Sequence, residues 1–177
     1  TLGQRATKYG MKVCIDFHYS DFWADPKKQF VPKAWEGMDI EEKSDALYNF
    51  TLENLTQILD AGVDVGMVQV GNETNNGMCG ETDASNVRKL LASGSKAVRD
   101  AATASGKDIL VAVHYTNIDD MKKLDTLLTG LQVKEIDYDI VGLSFYPYWH
   151  GTMDDLKNAI IHVRDTYGKK VYVAENA

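Results

Sequence analysis

The stretch IVGLSFYPYWHGTMDDLKNAIIHVRDTYGKKVYVAEN, residues 140–176, holds one full repeat of the pattern that decides the fold. Its ends, Ile140 to Phe145 and Lys170 to Ala174, are apolar runs of strand length, the second rich in β-branched residues. Between them Met153, Leu156, Ile160, Val163 and Tyr167 recur at helical spacing. Thr152 stands just before that stripe with Asp155 three residues on, a capping box that predicts where the helix starts. Both terminal runs are apolar at consecutive rather than alternate positions, as a strand must be when both of its faces are covered. Two such strands joined by a helix form a βαβ unit, and that connection makes them parallel.

The same unit repeats toward the N-terminus. Apolar runs at Met11 to Phe17, Val65 to Val70 and Ile109 to Val113 predict three more strands. Helical stripes lie between them: about Ile40 to Ala61 with Gly62 as a stop, Val87 to Ala101 ended by Gly106, and Ile118 to Leu131. A further helix is expected over residues 1–10. Strict alternation leaves an open doubly wound sheet or a closed (β/α)₈ barrel as the candidates. The last two strand-to-strand spacings, about 31 and 30 residues, equal the average unit of a ~250-residue barrel. At that pitch 177 residues hold five strands, too few to close a barrel. The chain is therefore expected to be a single catalytic-domain fragment over residues 1–177, incomplete at both ends.

Composition narrows the functions. With 44% hydrophobic residues the chain is globular rather than disordered. Its 26 acidic against 19 basic residues, net charge −7, argue against a nucleic-acid partner, which calls for clustered Lys and Arg. No apolar run approaches the ~20 residues of a membrane span. Cys14 and Cys79 sit in no CxxC or zinc spacing and read as free thiols. The opening TLGQRATKYG lacks the apolar core of a signal peptide. Sequons at Asn49, Asn54 and Asn72 fall in a predicted helix or cleft and read as chance.

Residue types suited to chemistry follow every apolar run: Asp16, His18, Tyr19 and Asp21; Asn72 and Glu73; His114 and Tyr115; Tyr146, Tyr148 and Trp149; Glu175 and Asn176. Each alone reads equally well as a helix cap or turn, but the C-terminal ends of parallel strands form the face where such folds build their sites. Glu73 and Glu175 follow apolar strands directly, so both project from the rim. Two carboxylates in unequal surroundings divide into a protonated acid and an ionised partner, the chemistry of glycoside hydrolysis. A structural ion pair is the plain alternative for either one. Trp23, Trp35, Tyr115, Tyr146, Tyr148 and Trp149 all fall in predicted loops, where flat rings suit the apolar face of a sugar. For Trp35 simple packing is an equal reading.

The segments DFHYSDFWADPKKQ (16–29), VQVGNE (68–73), SFYPYW (144–149) and VYVAEN (171–176), in that order, resemble glycoside hydrolase family 53, the arabinogalactan endo-β-1,4-galactanases. The first segment is the most family-specific; Asn-Glu on one strand and Glu three strands later is shared across the clan of retaining (β/α)₈ glycosidases. The resemblance implies a partial TIM barrel, strands three to seven of eight, with the Arg of the second strand and the Trp of the eighth outside the chain. It implies Glu73 as acid/base, Glu175 as nucleophile, Asn72 on the sugar 2-hydroxyl and Tyr146 holding Glu175. Asp16, His18, His114 and Trp149 are implied to line the substrate cleft. The implied partner is β-1,4-galactan, a plant cell-wall polymer too large to enter a cell, so an extracellular or surface location is expected. No cofactor is implied within this chain; some bacterial members hold a structural calcium after the seventh strand, beyond the ligands present here.

Three rivals remain open: another β-glycanase of the clan, such as a mannanase or cellulase; a metal-dependent hydrolase using Asp16, His18, Glu73, His114 and Glu175; and an inactive carbohydrate-binding fragment.

Overall fold

The computed structural model describes residues 1–116 and 118–176. The elements in chain order are α1 (Leu2–Lys8), β1 (Val13–Phe17), a short 3₁₀ turn (Lys33–Trp35), α2 (Ile40–Asp60), β2 (Val65–Val70), α3 (Ala84–Ser105), β3 (Leu110–Tyr115), α4 (Met121–Val133), β4 (Ile140–Phe145), α5 (Pro147–His150), α6 (Met153–Tyr167) and β5 (Lys170–Asn176). The strands pair in sequence order and all in parallel. That order settles the choice left open above. A doubly wound sheet reverses its winding at a switch point, whereas this one never does and curls as part of a (β/α)₈ barrel.

Helix ends lie where local chemistry puts them. Thr152 accepts from the Asp155 backbone N–H and completes the expected capping box, and Asp39 does the same with Glu42 for α2. Gly106 and Gly168 close α3 and α6 in the left-handed conformation. Among the expected strands, the third differs most: the ladder runs on through His114 and Tyr115. Those two residues lie within the sheet rather than in a loop, because each still has a partner on β4.

The two faces of the sheet differ in chemistry. Val68, Val70, Val111, Val113, Val141 and Leu143 pack outward against the helices in the hydrophobic core. At alternate positions the concave face carries Gln69, His114 and Ser144, all fully buried. The register between β4 and β5 slips once: Leu143 pairs with Val173, but Ser144 pairs with Glu175. Ala174 is thus an extra residue, a bulge, and it turns Glu175 to the same concave face as Tyr172.

Candidate active site

The turn after β2 is sharp. Gly71 has φ 83° and Glu73, not a glycine, has φ 48°. A left-handed Glu costs of order 1 kcal/mol, and it is held by bonds to β3: the Glu73 N–H donates to His114 Nδ1 at 3.3 Å and the Thr74 N–H to the His114 carbonyl at 3.1 Å. The Glu73 side chain is thereby aimed over the strand ends. Glu175 reaches the same space from β5, and carboxylate oxygens of the two residues approach within 4.8 Å.

Their surroundings are unequal. Glu73 is 7% exposed and accepts a 2.6 Å bond from the Ser144 hydroxyl at Oε1. Burial, chiefly, and then the charges of Glu175 and Asp25 hold its carboxyl above the ordinary carboxylate range, against the opposing Ser144 bond. Glu175 accepts from the Tyr146 hydroxyl at 2.7 Å. That bond, first, pushes the Tyr146 phenol up to about 12, so it stays a donor at any physiological pH.

Each residue expected at the site can now be placed. Asp16 and His18 stand on the rim, joined at 3.0 Å, and this bond raises the His18 pKa. His18 also meets the Trp23 ring edge-on at 5.9 Å. Trp149 is 72% exposed on α5 and packs against Tyr148. Asn72 is buried beside Glu73 with both ends of its amide engaged: Nδ2 donates to the Ala24 carbonyl at 2.8 Å and Oδ1 accepts from Gln69 at 3.3 Å. His114 does not line the cleft surface. It is fully buried, with Nε2 on Ser144 at 2.9 Å and Nδ1 facing Asn72 Oδ1 at 2.9 Å and Gln69 Nε2 at 3.1 Å. Burial drives its pKa down to about 4, so the ring is neutral. Tyr115 and Trp35 are buried packing residues, Trp35 against Phe50.

Glu73, His114 and Glu175 offer one atom each within 4.8 Å of one another, a spacing that would suit a metal ion. The donor chemistry fits poorly, since both nitrogens of His114 already have protein partners and a metal would have to displace Ser144 or Gln69. Sequence reasoning passed over Gln69, Ser144 and Tyr172, and also Gln29, whose Nε2 donates to the Asn72 carbonyl at 2.8 Å. A signal existed for two of them: Gln69 and Ser144 are polar intrusions in otherwise apolar strands, and burial makes such residues seek partners.

Comparison with known proteins gives a consistent result. A family model described as Glycosyl hydrolase family 53 matches residues 1–177. The chain is 48% identical over 176 residues to an endo-beta-1,4-galactanase of Bacillus subtilis (strain 168), covering 99% of this chain and 40% of that protein. It is 39% identical over 187 residues to an arabinogalactan endo-beta-1,4-galactanase of Cellvibrio japonicus (strain Ueda107), covering 98% and 48%. Among solved structures, the Ignisphaera aggregans GH53 catalytic domain superposes with a TM-score of 0.91 at 36% identity, over 99% of this chain and 49% of that one. A GH10 xylanase from Bispora, at 14% identity and TM-score 0.68 over 99% and 54%, shares the fold alone. The chain thus spans about half, or less, of the length of these relatives.

Proposed function

This chain belongs to glycosyl hydrolase family 53, and from that premise we propose that it supplies the catalytic pair of an endo-acting β-1,4-galactanase working by retention. The observation that carries the reading is the approach of Glu73 and Glu175 to within 4.8 Å. Retaining enzymes hold their carboxyl groups about 5–5.5 Å apart, whereas inverting ones leave about 6.5–9.5 Å for a water. Glu73, buried and raised in pKa, is the acid. It protonates the departing glycosidic oxygen while Glu175, aimed by Tyr146, attacks the anomeric carbon. Glu73 then takes a proton from the water that releases the sugar from Glu175. Asp16, His18, Trp23 and Trp149 supply the polar and aromatic surface that holds the polysaccharide.

Asn72 and His114 act from below, bracing the wall beneath the reacting sugar. No cofactor enters this scheme. The substrate is a plant cell-wall polymer, so the natural setting is extracellular, on galactan that cannot cross a membrane intact; no helix among the described residues is long and apolar enough to span one.

The test uses a chain extended to the full length of its curated relatives. It should cleave β-1,4-galactan in preference to mannan, cellulose or xylan, with first-formed products in the β configuration by NMR. Glu73→Gln and Glu175→Gln should each lower kcat by roughly 10³-fold or more. First-formed α products, or a preferred substrate other than galactan, would overturn it.

A further inference from the structure

The hydrogen bonds beneath Glu73 run in one direction, and two groups that cannot reverse fix that direction. The Ala24 carbonyl can only accept, so the Asn72 amide must turn Nδ2 toward it and leave Oδ1 as an acceptor facing Gln69. Three groups meet His114 Nδ1: Asn72 Oδ1 at 2.9 Å, Gln69 Nε2 at 3.1 Å and the Glu73 backbone N–H at 3.3 Å. The last two are donors and the Glu73 N–H cannot reverse, so Nδ1 accepts and its contact with Asn72 Oδ1 is one between two acceptors that Gln69 bridges. Gln69 Nε2 therefore donates one hydrogen to Asn72 Oδ1 and the other to His114 Nδ1, at 3.3 and 3.1 Å. Gln69 Oε1 is left to accept from the Tyr172 hydroxyl. With Nδ1 bare, the single proton of the neutral ring is on Nε2, and it donates to Ser144 Oγ at 2.9 Å. Ser144 has one proton of its own, which goes to Glu73 Oε1 at 2.6 Å.

We propose that Tyr172, Gln69, His114 and Ser144 form a one-way hydrogen-bond chain that keeps Glu73 Oε1 an acceptor and so assigns the transferable proton to Oε2. The inference rests on the acid/base role proposed for Glu73. Oε1 receives the Ser144 proton whether Glu73 is ionised or not, because Ser144 cannot turn toward Nε2 without opposing the hydrogen there. The proton given to the leaving glycosidic oxygen departs from Oε2, and the proton taken from water in the second step returns to Oε2. None of the four touches substrate; they are positioning residues.

The backbone is built for this chain. Tyr172 pairs with Gly142, and a Cβ at Gly142 would lie 2.8 Å from Tyr172 Cε1. Only a residue without a side chain lets the Tyr172 ring lie across β4 and reach Gln69 on β2. The chain thus starts on β5, three residues before Glu175, and ends on Glu73. The other charged groups facing Glu73 are Glu175 on β5 and Asp25 and His18 in the loop after β1, while Asp16, His18 and Glu175 face His114.

The experiment compares Ser144→Ala, Ser144→Thr and Tyr172→Phe in a chain of full relative length, by two readouts: the alkaline limb of kcat/KM on galactan, and the ¹³C titration midpoint of the Glu73 carboxyl, assigned with Glu73→Gln. Removing the Ser144 donor takes away a bond that favours the carboxylate. Both readouts should then move up by about one pH unit in Ser144→Ala, the size of a hydrogen bond to a charged group. Tyr172→Phe should move them up by less, and Ser144→Thr, which keeps the hydroxyl, should restore them. A kcat lowered in Ser144→Ala with the limb and the midpoint unmoved would mean mere packing and overturn the proposal. If Ser144→Ala does not fold, an unmoved midpoint in Tyr172→Phe overturns it alone. If the unsubstituted protein cleaves no galactan, the proposed function fails, while the carboxyl midpoints still decide the chain.

Discussion

His114 shows what burial does to one ring. Its pKa is held at about 4 against an ordinary 6.5, chiefly by desolvation. The folded value lies below the unfolded one, so stability is fully present above about pH 6.5. It drains away as pH falls toward 4, where an unfolded chain has already gained the proton. The complete effect is about 3 kcal/mol. Urea midpoints between pH 7 and 4 should therefore fall more steeply for the unsubstituted protein than for His114→Gln; equal slopes would refute this. On the other side of the cleft, Tyr146→Phe removes the donor that aims Glu175. A lost bond to a charged group predicts kcat down by roughly 10- to 100-fold with KM little changed; steady-state kinetics with an unchanged kcat would speak against it. At this scale Glu73, Glu175 and Tyr146 were legible, because reactive residue types follow apolar strands. The burial of His114 was not. The strand runs two residues beyond its apolar run, and nothing local distinguishes a histidine at the strand's end from one in the loop after it.

Among the elements, the helices were easiest to read and their caps explain why. Thr152, Asp155 and Gly106 mark ends by local hydrogen bonding and left-handed geometry, which need no tertiary information. Thr152→Ala should cost about 1 kcal/mol in chemical denaturation, and no measurable loss would show the cap to be idle. The close contact of α3 with β2 was invisible in sequence. Gly94 lies so near the sheet that a Cβ would sit 2.4 Å from Val70 Cγ1 and 3.2 Å from Leu47 Cδ2. Gly94→Ala gains helix propensity but overpacks this contact, for a net loss of roughly 1–2 kcal/mol; a stabilised variant would mean the helix shifts freely. The four-residue helix α5 went unread, since one turn leaves no periodicity to detect.

For the molecule as a whole, the order of units was legible from the alternation of strand and helix patterns, while the choice of barrel over doubly wound sheet needed the family resemblance and the observed strand order. The two sheet edges carry a further consequence. Among the described residues, β1 and β5 each have one neighbour. Beside β1 an open depression of about 770 Å³ is lined by Leu2, Ala6, Met11, Ile15, Ile58 and Val63. Free edges beside apolar surface pair with other chains, so the 177-residue chain alone should associate as its concentration rises, as light scattering can measure. A monodisperse monomer across the range would contradict this. The bulge at Ala174 has an effect that no substitution can imitate. It makes the presence of one carboxylate in the cleft a question of odd or even numbers. A natural variant of the same length whose β5 ran on without the bulge would keep every signature motif and the same fold, yet turn Glu175, three residues after the inward Tyr172, to the helix side. Such a protein would be read from its genes as an enzyme and would be a silent one.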